Sequence, residues 1–100
     1  MQILIIEDEP AAARHLQNLI NKAIPEAKIG AHLESVKSSI NWFNENNQPD
    51  LVFMDIKLAD GHSFEIFNHC KVKAPVIFTT AYDNFTMEAF KIHTIDYLLK

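Results

Sequence analysis

The chain is predicted to fold as an α/β domain, doubly wound around a parallel five-stranded sheet. Three observations predict this. The apolar runs Ile3-Leu4-Ile5-Ile6, Leu51-Val52-Phe53-Met54 and Pro75-Val76-Ile77-Phe78 lack polar alternation, as strands buried on both faces do. Amphipathic stretches of helical length separate them, and strands joined by helical crossovers run parallel. A length of 100 residues, 48% hydrophobic and 22% charged, suits one globular domain and is too apolar for a disordered chain.

The elements follow in the order βαβαβαβαβ. Ile3 to Ile6 forms the first strand and runs straight into Glu7-Asp8-Glu9-Pro10, so a loop follows and Pro10 sits in the first turn of a helix. Ala12, Leu16, Leu19, Ile20, Ala23 and Ile24 share one face of that helix, which Pro25 terminates. Ala27 to Leu33 is a second strand, with Ile29, Ala31 and Leu33 alternating. Ser35 is placed to cap a helix carrying Val36, Ile40 and Phe43. After a polar turn from Asn44 to Pro49, Leu51 to Met54 forms the third strand and runs directly into Asp55. Asp60-Gly61 marks a turn, and Phe64, Phe67 and Cys70 suggest a short helix. Pro75 to Phe78 continues into Thr79-Thr80-Ala81 as the fourth strand. Asn84 to Ile92 reads as a helix with Phe85, Ala89 and Ile92 on one face, and Ile95 to Leu99 as the last strand.

Composition excludes several classes. Two glycines and four prolines rule out collagen-like and linker-like chains, and the apolar runs fall far short of the roughly 20 residues of a membrane span. A net charge of -4 argues against nucleic-acid binding by this segment, which would need a basic face. Cys70, the single cysteine, has no intramolecular disulfide partner. With no basic-then-apolar leader after Met1, a cytoplasmic location is expected.

In doubly wound sheets ligands bind outside the carboxyl ends of the strands. Those ends carry Glu7, Asp8 and Asp55, so residues far apart in sequence converge on one rim. Their mutual repulsion calls for a cation. Mg²⁺ takes oxygen ligands octahedrally, accepts one or two carboxylates plus waters, and commonly shares its site with phosphate. Thr80 offers a hydroxyl and Lys100 an ammonium at neighbouring strand ends, both suited to phosphate oxygens. Carboxylates, metal, hydroxyl and ammonium together make a phosphoryl-transfer site. Asp55, standing alone at a strand end, is the expected nucleophile.

These residues resemble the receiver domain of bacterial two-component response regulators. The resemblance covers the whole chain and is carried by Ile3-Leu4-Ile5-Ile6-Glu7-Asp8-Glu9-Pro10, Leu51-Val52-Phe53-Met54-Asp55, Phe78-Thr79-Thr80-Ala81-Tyr82 and Asp96-Tyr97-Leu98-Leu99-Lys100. Each segment is weak alone, and the four in order are specific. The resemblance implies a flavodoxin-like receiver fold over residues 1–100, with Asp55 as phosphoacceptor from a sensor histidine kinase. It further implies Glu7, Asp8, Asp55 and the backbone carbonyl of Lys57 around Mg²⁺, Thr80 and Lys100 as phosphate-binding residues, and Thr80 with Tyr97 as the switch pair. Phosphorylation would favour the arrangement in which Thr80 and Lys100 approach the dianion, altering a surface that a partner reads.

Thr79-Thr80-Ala81-Tyr82-Asp83, Ala89-Phe90 and Ile95 to Lys100 are similar, more narrowly, to receivers attached to LytTR-type DNA-binding domains. The domain itself would contact DNA only through an output domain outside this chain. Two departures stand out. The loop from Asp55 to Gly61 is about two residues shorter than in most receivers, a shortening shared with the LytTR-linked group, and Ala59 stands where proline is common. The chain also stops at Lys100, where receivers continue into a fifth helix. A sheet lacking that last helix exposes apolar surface, and self-association or domain exchange is expected of it.

Blander readings compete. Single acids at strand ends often only cap helices, Glu9 reads as solvated, and Tyr97 alone could be a core ring. Phe64, Phe67, Phe85 and Phe90 read as core or interface, and Cys70 as a small apolar residue. His15, His32, His62, His69 and His93 show no metal-ligand spacing and receive no role. An aspartyl-phosphate hydrolase would need an acid two residues after its nucleophile, where Lys57 stands. A receiver-like interaction module that is never phosphorylated is the remaining alternative, disfavoured by intact Asp55, Thr80 and Lys100.

Overall fold

In the computed structural model, residues 1–79 are described in full, together with the backbone of Thr80 and of residues 96–99. The elements are β1 (Gln2–Ile6), α1 (Pro10–Ala23), β2 (Lys28–Leu33), α2 (Val36–Glu45) and β3 (Leu51–Asp55), then two short strands, β4 (Lys57–Leu58) and β5 (Gly61–His62). A 3₁₀ turn (Ser63–Glu65), α3 (Ile66–His69), β6 (Val76–Thr80) and β7 (Asp96–Leu99) complete them. The main sheet has five strands in the order β2-β1-β3-β6-β7, and every pairing in it is parallel. This is the flavodoxin-like order, which reverses direction between β1 and β3. The expected helix Asn84–Ile92 lies outside the described residues.

The apolar runs become strands because both of their faces are covered. Ile3, Leu4, Ile5 and Ile6 are each fully buried. Ile3 and Ile5 join Phe53, Ala13 and Ile20 on the α1 side of the sheet. Leu4 and Ile6 join Val52, Met54, Val76 and Phe78 against Val36 and Phe43 of α2 and Ile66 of α3 on the other. This is the period-two alternation of a strand with no solvent side. Each such side chain contributes on the order of 1.5–3 kcal/mol, an upper estimate because the unfolded chain already buries some apolar surface.

Helix α1 starts at Pro10, and Ile24 leaves the helical region (φ -132°, ψ 80°) ahead of Pro25. Its buried stripe is turned relative to the face read from the sequence and takes in Ala13, which that face left out. Ala13 and Ile20 are buried with Leu16 and Ile24 packed beside them, whereas Leu19 is 50% exposed and Ala23 faces solvent. At 100° per residue, Ala12, Leu19 and Ala23 lie about a quarter turn from the line through positions 13, 20 and 24, which is centred on the sheet. Helix α2 is capped as read: the Ser38 N–H donates to Ser35 Oγ at 3.0 Å, and the Ser35 N–H donates to Ser38 Oγ at 3.3 Å. Gly30 lies where β2 skips one residue against β1, between the pairs Ile3–Ile29 and Leu4–Ala31. A side chain there would collide with that of Gln2, and a bulge of this kind on an edge strand discourages pairing with other chains.

Candidate functional site

Register brings the acidic residues together. Ile6 pairs with Met54, so Glu7 and Asp55 step off adjacent strands at the same level, beside the point where the strand order reverses. Main-chain bonding continues past the strand, the Glu7 N–H donating to the Leu33 carbonyl at 2.8 Å. Asp8 begins the loop into α1. One carboxylate oxygen from each of Glu7, Asp8 and Asp55 lies within 4.8 Å of the other two. Glu7 is 2% and Asp55 7% exposed, and Asp8 is half-buried. The Glu9 N–H donates to Glu7 Oε2 at 3.3 Å.

Hard oxygen donors, anionic and converging in a partly desolvated hollow, suit Mg²⁺, which needs only one or two carboxylates and completes its shell with water or phosphate. The grouping is costly without a counter-charge, because burial weakens the screening between like charges.

Lys57 reaches this neighbourhood through a small hairpin that the sequence showed only as an Asp60-Gly61 turn. Lys57 pairs with His62 and Leu58 with Gly61, antiparallel, leaving Ala59-Asp60 as a two-residue turn. That tight closure accounts for the shortness of the loop after Asp55. Gly61 has φ +143°, where a β-carbon is strained. The Ser63 N–H donates to the Ile56 carbonyl at 2.8 Å. Hydrogen-bonded and non-bonded pairs alternate along an antiparallel ladder, so Lys57–His62 is a non-bonded pair and the Lys57 carbonyl is not used by the ladder.

Asp55 pairs with Thr79, and Thr80 follows at the carboxyl end of β6, opposite Leu99 of β7; Tyr97 pairs with Phe78 one turn of the pleat earlier. The backbone of Thr80 thus ends on the same edge of the sheet as Asp55. The side chains of Thr80 and Tyr97, and Lys100 altogether, lie outside the described residues.

Two residues that touch this frame have partners the sequence did not signal. His32 Nε2 lies 2.7 Å from the Glu7 carbonyl oxygen. A carbonyl only accepts, so Nε2 carries the hydrogen. Only the strand register, which sets His32 against Ile5, could have found it. Asp60 accepts from the Val36 N–H at 2.7 Å through Oδ1 and from the Lys37 N–H at 3.1 Å through Oδ2. The Val36 hydrogen bond is the main cause holding its carboxyl below the usual 3.8, against an opposing effect of burial. A turn aspartate gives no hint in sequence of so remote a partner. Elsewhere, burial pushes the Cys70 thiol up, and its Sγ lies 3.2 Å from the Ile66 carbonyl. No helix among the described residues is long and apolar enough to cross a membrane.

Comparison with known proteins agrees with this geometry. The response regulator receiver domain model matches residues 3–100. The sensory transduction protein LytT of Bacillus anthracis is 35% identical over 103 residues, covering all of this chain and 41% of that protein. The transcriptional regulatory protein LytR of Staphylococcus aureus is 36% identical, again over all of this chain and 41% of its own length. The chain therefore spans about two fifths of these curated relatives. Among solved structures, the response regulatory domain of mrkE from Klebsiella pneumoniae superposes with a TM-score of 0.83 at 27% identity, over 100% of this chain and 83% of that one. TrrA from Thermotoga maritima, crystallised in complex with Mg²⁺-BeF, shares the fold at a TM-score of 0.80 and 24% identity, over 99% of this chain and 85% of that one. A family match running almost end to end, relatives aligned over the whole chain, and an acidic rim at the strand ends agree: the chain belongs to the response regulator receiver domain family, with LytT- and LytR-type relatives.

Proposed function

We propose that residues 1–100 form a phosphoacceptor switch that takes a phosphoryl group from a sensor histidine kinase onto Asp55. The observation carrying this reading is the meeting of the Glu7, Asp8 and Asp55 carboxylates within 4.8 Å at the switch point of the sheet. The Mg²⁺-BeF complex of TrrA supports it by likeness of fold.

In this reading Glu7, Asp8, Asp55 and the Lys57 carbonyl hold Mg²⁺, which when bound neutralises charge between the carboxylate and the incoming phosphoryl oxygens. Asp55 supplies the nucleophile: its carboxylate oxygen forms a new bond to phosphorus as the phosphorus–nitrogen bond to the donor imidazole breaks, and that imidazole leaves carrying the electron pair. Burial of Asp55 and Glu7 limits competing water and strengthens their interaction with a cation. The rigid β1–β3 register fixes both acids before any ligand arrives. Thr80 and Lys100 bind the phosphoryl oxygens, and the preference of the dianion for their closer approach shifts the population toward an active surface in which Tyr97 turns inward. The domain is regulatory rather than metabolic, and the only reactions it assists are its own phosphorylation and dephosphorylation.

A LytTR-type DNA-binding output and a second copy of this chain are the further partners of this reading. A single monomeric species in sedimentation velocity at micromolar concentration rejects the second copy. The phosphoacceptor itself is tested by incubating the protein and an Asp55→Asn variant with Mg²⁺ and acetyl phosphate and weighing both intact. One phosphoryl group on the wild type alone is the expected result. Equal addition to the variant refutes Asp55, and no addition to either favours the unphosphorylated interaction module.

A further inference from the structure

The hairpin after Asp55 is anchored at its tip to a different element. Asp60 spans the N–H groups of Val36 and Lys37, the first two residues of α2. Those donors have no partner within a helix. Ser35 already serves the Ser38 N–H, so this helix end has its own hydroxyl cap and draws a carboxylate from the hairpin in addition. The helix dipole favours that carboxylate in its charged form.

The other end of the same β2–α2 connection is fastened to Glu7, the residue that follows β1. The Leu33 carbonyl accepts from the Glu7 N–H at 2.8 Å, and His32 Nε2 donates to the Glu7 carbonyl at 2.7 Å. Residues 32–37 therefore hold the main chain of one acidic residue at one end and the tip of the Lys57 hairpin at the other. Glu7 is one of the three residues whose carboxylates meet, and the hairpin follows another, Asp55, directly in sequence.

We propose that Asp60 is a positioning residue for the phosphoryl-transfer site. By clamping the hairpin to the amino end of α2 it sets the Lys57 carbonyl at the correct distance from the carboxylates, so that the oxygen donors are assembled before Mg²⁺ arrives. The proposal rests on the reading of Asp55 as a Mg²⁺-assisted phosphoacceptor. Asp60 touches neither metal nor phosphate; it acts through Lys57.

Asp60→Ala and Asp60→Asn test it, with Ser35→Ala as a control that weakens the same helix end without releasing the hairpin. Mg²⁺ affinity is read directly from amide chemical shifts in a titration with the metal alone. The Mg²⁺ concentration giving half-maximal phosphorylation by acetyl phosphate is read by intact mass. Asp60→Ala is expected to weaken Mg²⁺ binding about tenfold, in the range of second-sphere ligand partners. Asp60→Asn, keeping one acceptor oxygen, falls between it and the wild type. Ser35→Ala lowers the melting temperature yet leaves Mg²⁺ affinity unchanged. Mg²⁺ affinity unchanged in both Asp60 variants, or weakened equally in Ser35→Ala, overturns the proposal. If circular dichroism shows Asp60→Ala unfolded, Asp60→Asn decides. A wild type that neither binds Mg²⁺ nor accepts phosphate overturns the phosphoacceptor reading itself, and the proposal with it.

Discussion

Replacing Asp55 with Asn should make the metal-free protein more stable. Two ionised carboxylates with oxygens 4.8 Å apart, the widest spacing within the cluster, repel by about 3 kcal/mol at an effective dielectric of 20. Asp55→Asn removes two of the three pairs while keeping the side chain's shape. Asp55 and Glu7 also take part in other interactions, and Asp8 is half-exposed, so most of that gross figure is offset. A net gain of about 1 kcal/mol remains, which in a domain of this size is roughly 4–8 °C in Tm. Mg²⁺ should reverse the ranking. At ten times its Kd it adds about 1.4 kcal/mol to the wild type and little to the variant. The assay is thermal unfolding by circular dichroism at low ionic strength, with and without Mg²⁺. A variant less stable than the metal-free wild type, together with a wild-type Tm that ignores Mg²⁺, would refute an electrostatically strained metal site.

Other consequences follow from single side chains. Phe78 is fully buried, with ring centroids 5.3 Å from Phe64 and 6.4 Å from Phe67, so Phe78→Ala should cost about 3–5 kcal/mol in urea unfolding. The Ser63 hydroxyl is buried without a hydrogen-bond partner among the described residues, so Ser63→Ala should leave stability unchanged or raise it by up to about 1 kcal/mol. Asp60 titrates below its unfolded value, so its stabilisation is complete above about pH 5 and disappears as the pH falls through the folded value. The stability gap between the wild type and Asp60→Ala should therefore be constant near neutrality and shrink as acid protonates the folded carboxylate. Burial raises the Cys70 thiol, so its alkylation by iodoacetamide near pH 8 should lag behind that of a free cysteine in the unfolded chain.

What could be read from the sequence was what depends on local pattern. Continuous apolar runs identify β1, β3 and β6 because burial on both faces leaves no room for polar alternation. Ser35 announced a helix start because a cap-forming hydroxyl precedes Val36, Ile40 and Phe43 at helical spacing. Glu7, Asp8 and Asp55 could be grouped without coordinates because parallel strands place all their carboxyl ends on one edge. The illegible features depend on three-dimensional phase. The buried stripe of α1 is turned from the face that the spacing predicts, since alanine and leucine spacing alone does not show which side of a helix meets the sheet; Ala13 and Ile20 settle it. The β4–β5 hairpin is too short to carry periodicity, and neither His32 nor Asp60 has a partner nearby in sequence.

The pocket also explains why so much of the surrounding hydrogen bonding is main-chain or directed at main chain. A cluster of three carboxylates pushes its own members apart, and long flexible side chains would answer by rotating away. Here the repulsion is met by backbone that cannot move: Glu7 is held through both its N–H and its carbonyl, by Leu33 and His32, and Asp55 ends a strand paired on either side of the sheet. Rigid acids joined by register keep their spacing whether or not a cation is present, and this lowers the reorganisation cost of binding one. The donor expected from the short hairpin, the Lys57 carbonyl, lacks such support within its own strand, because a two-residue ladder imposes little. An external clamp from Asp60 to α2 supplies it, and so the most weakly held part of the site should be the part most sensitive to a change of one carboxylate at its far end.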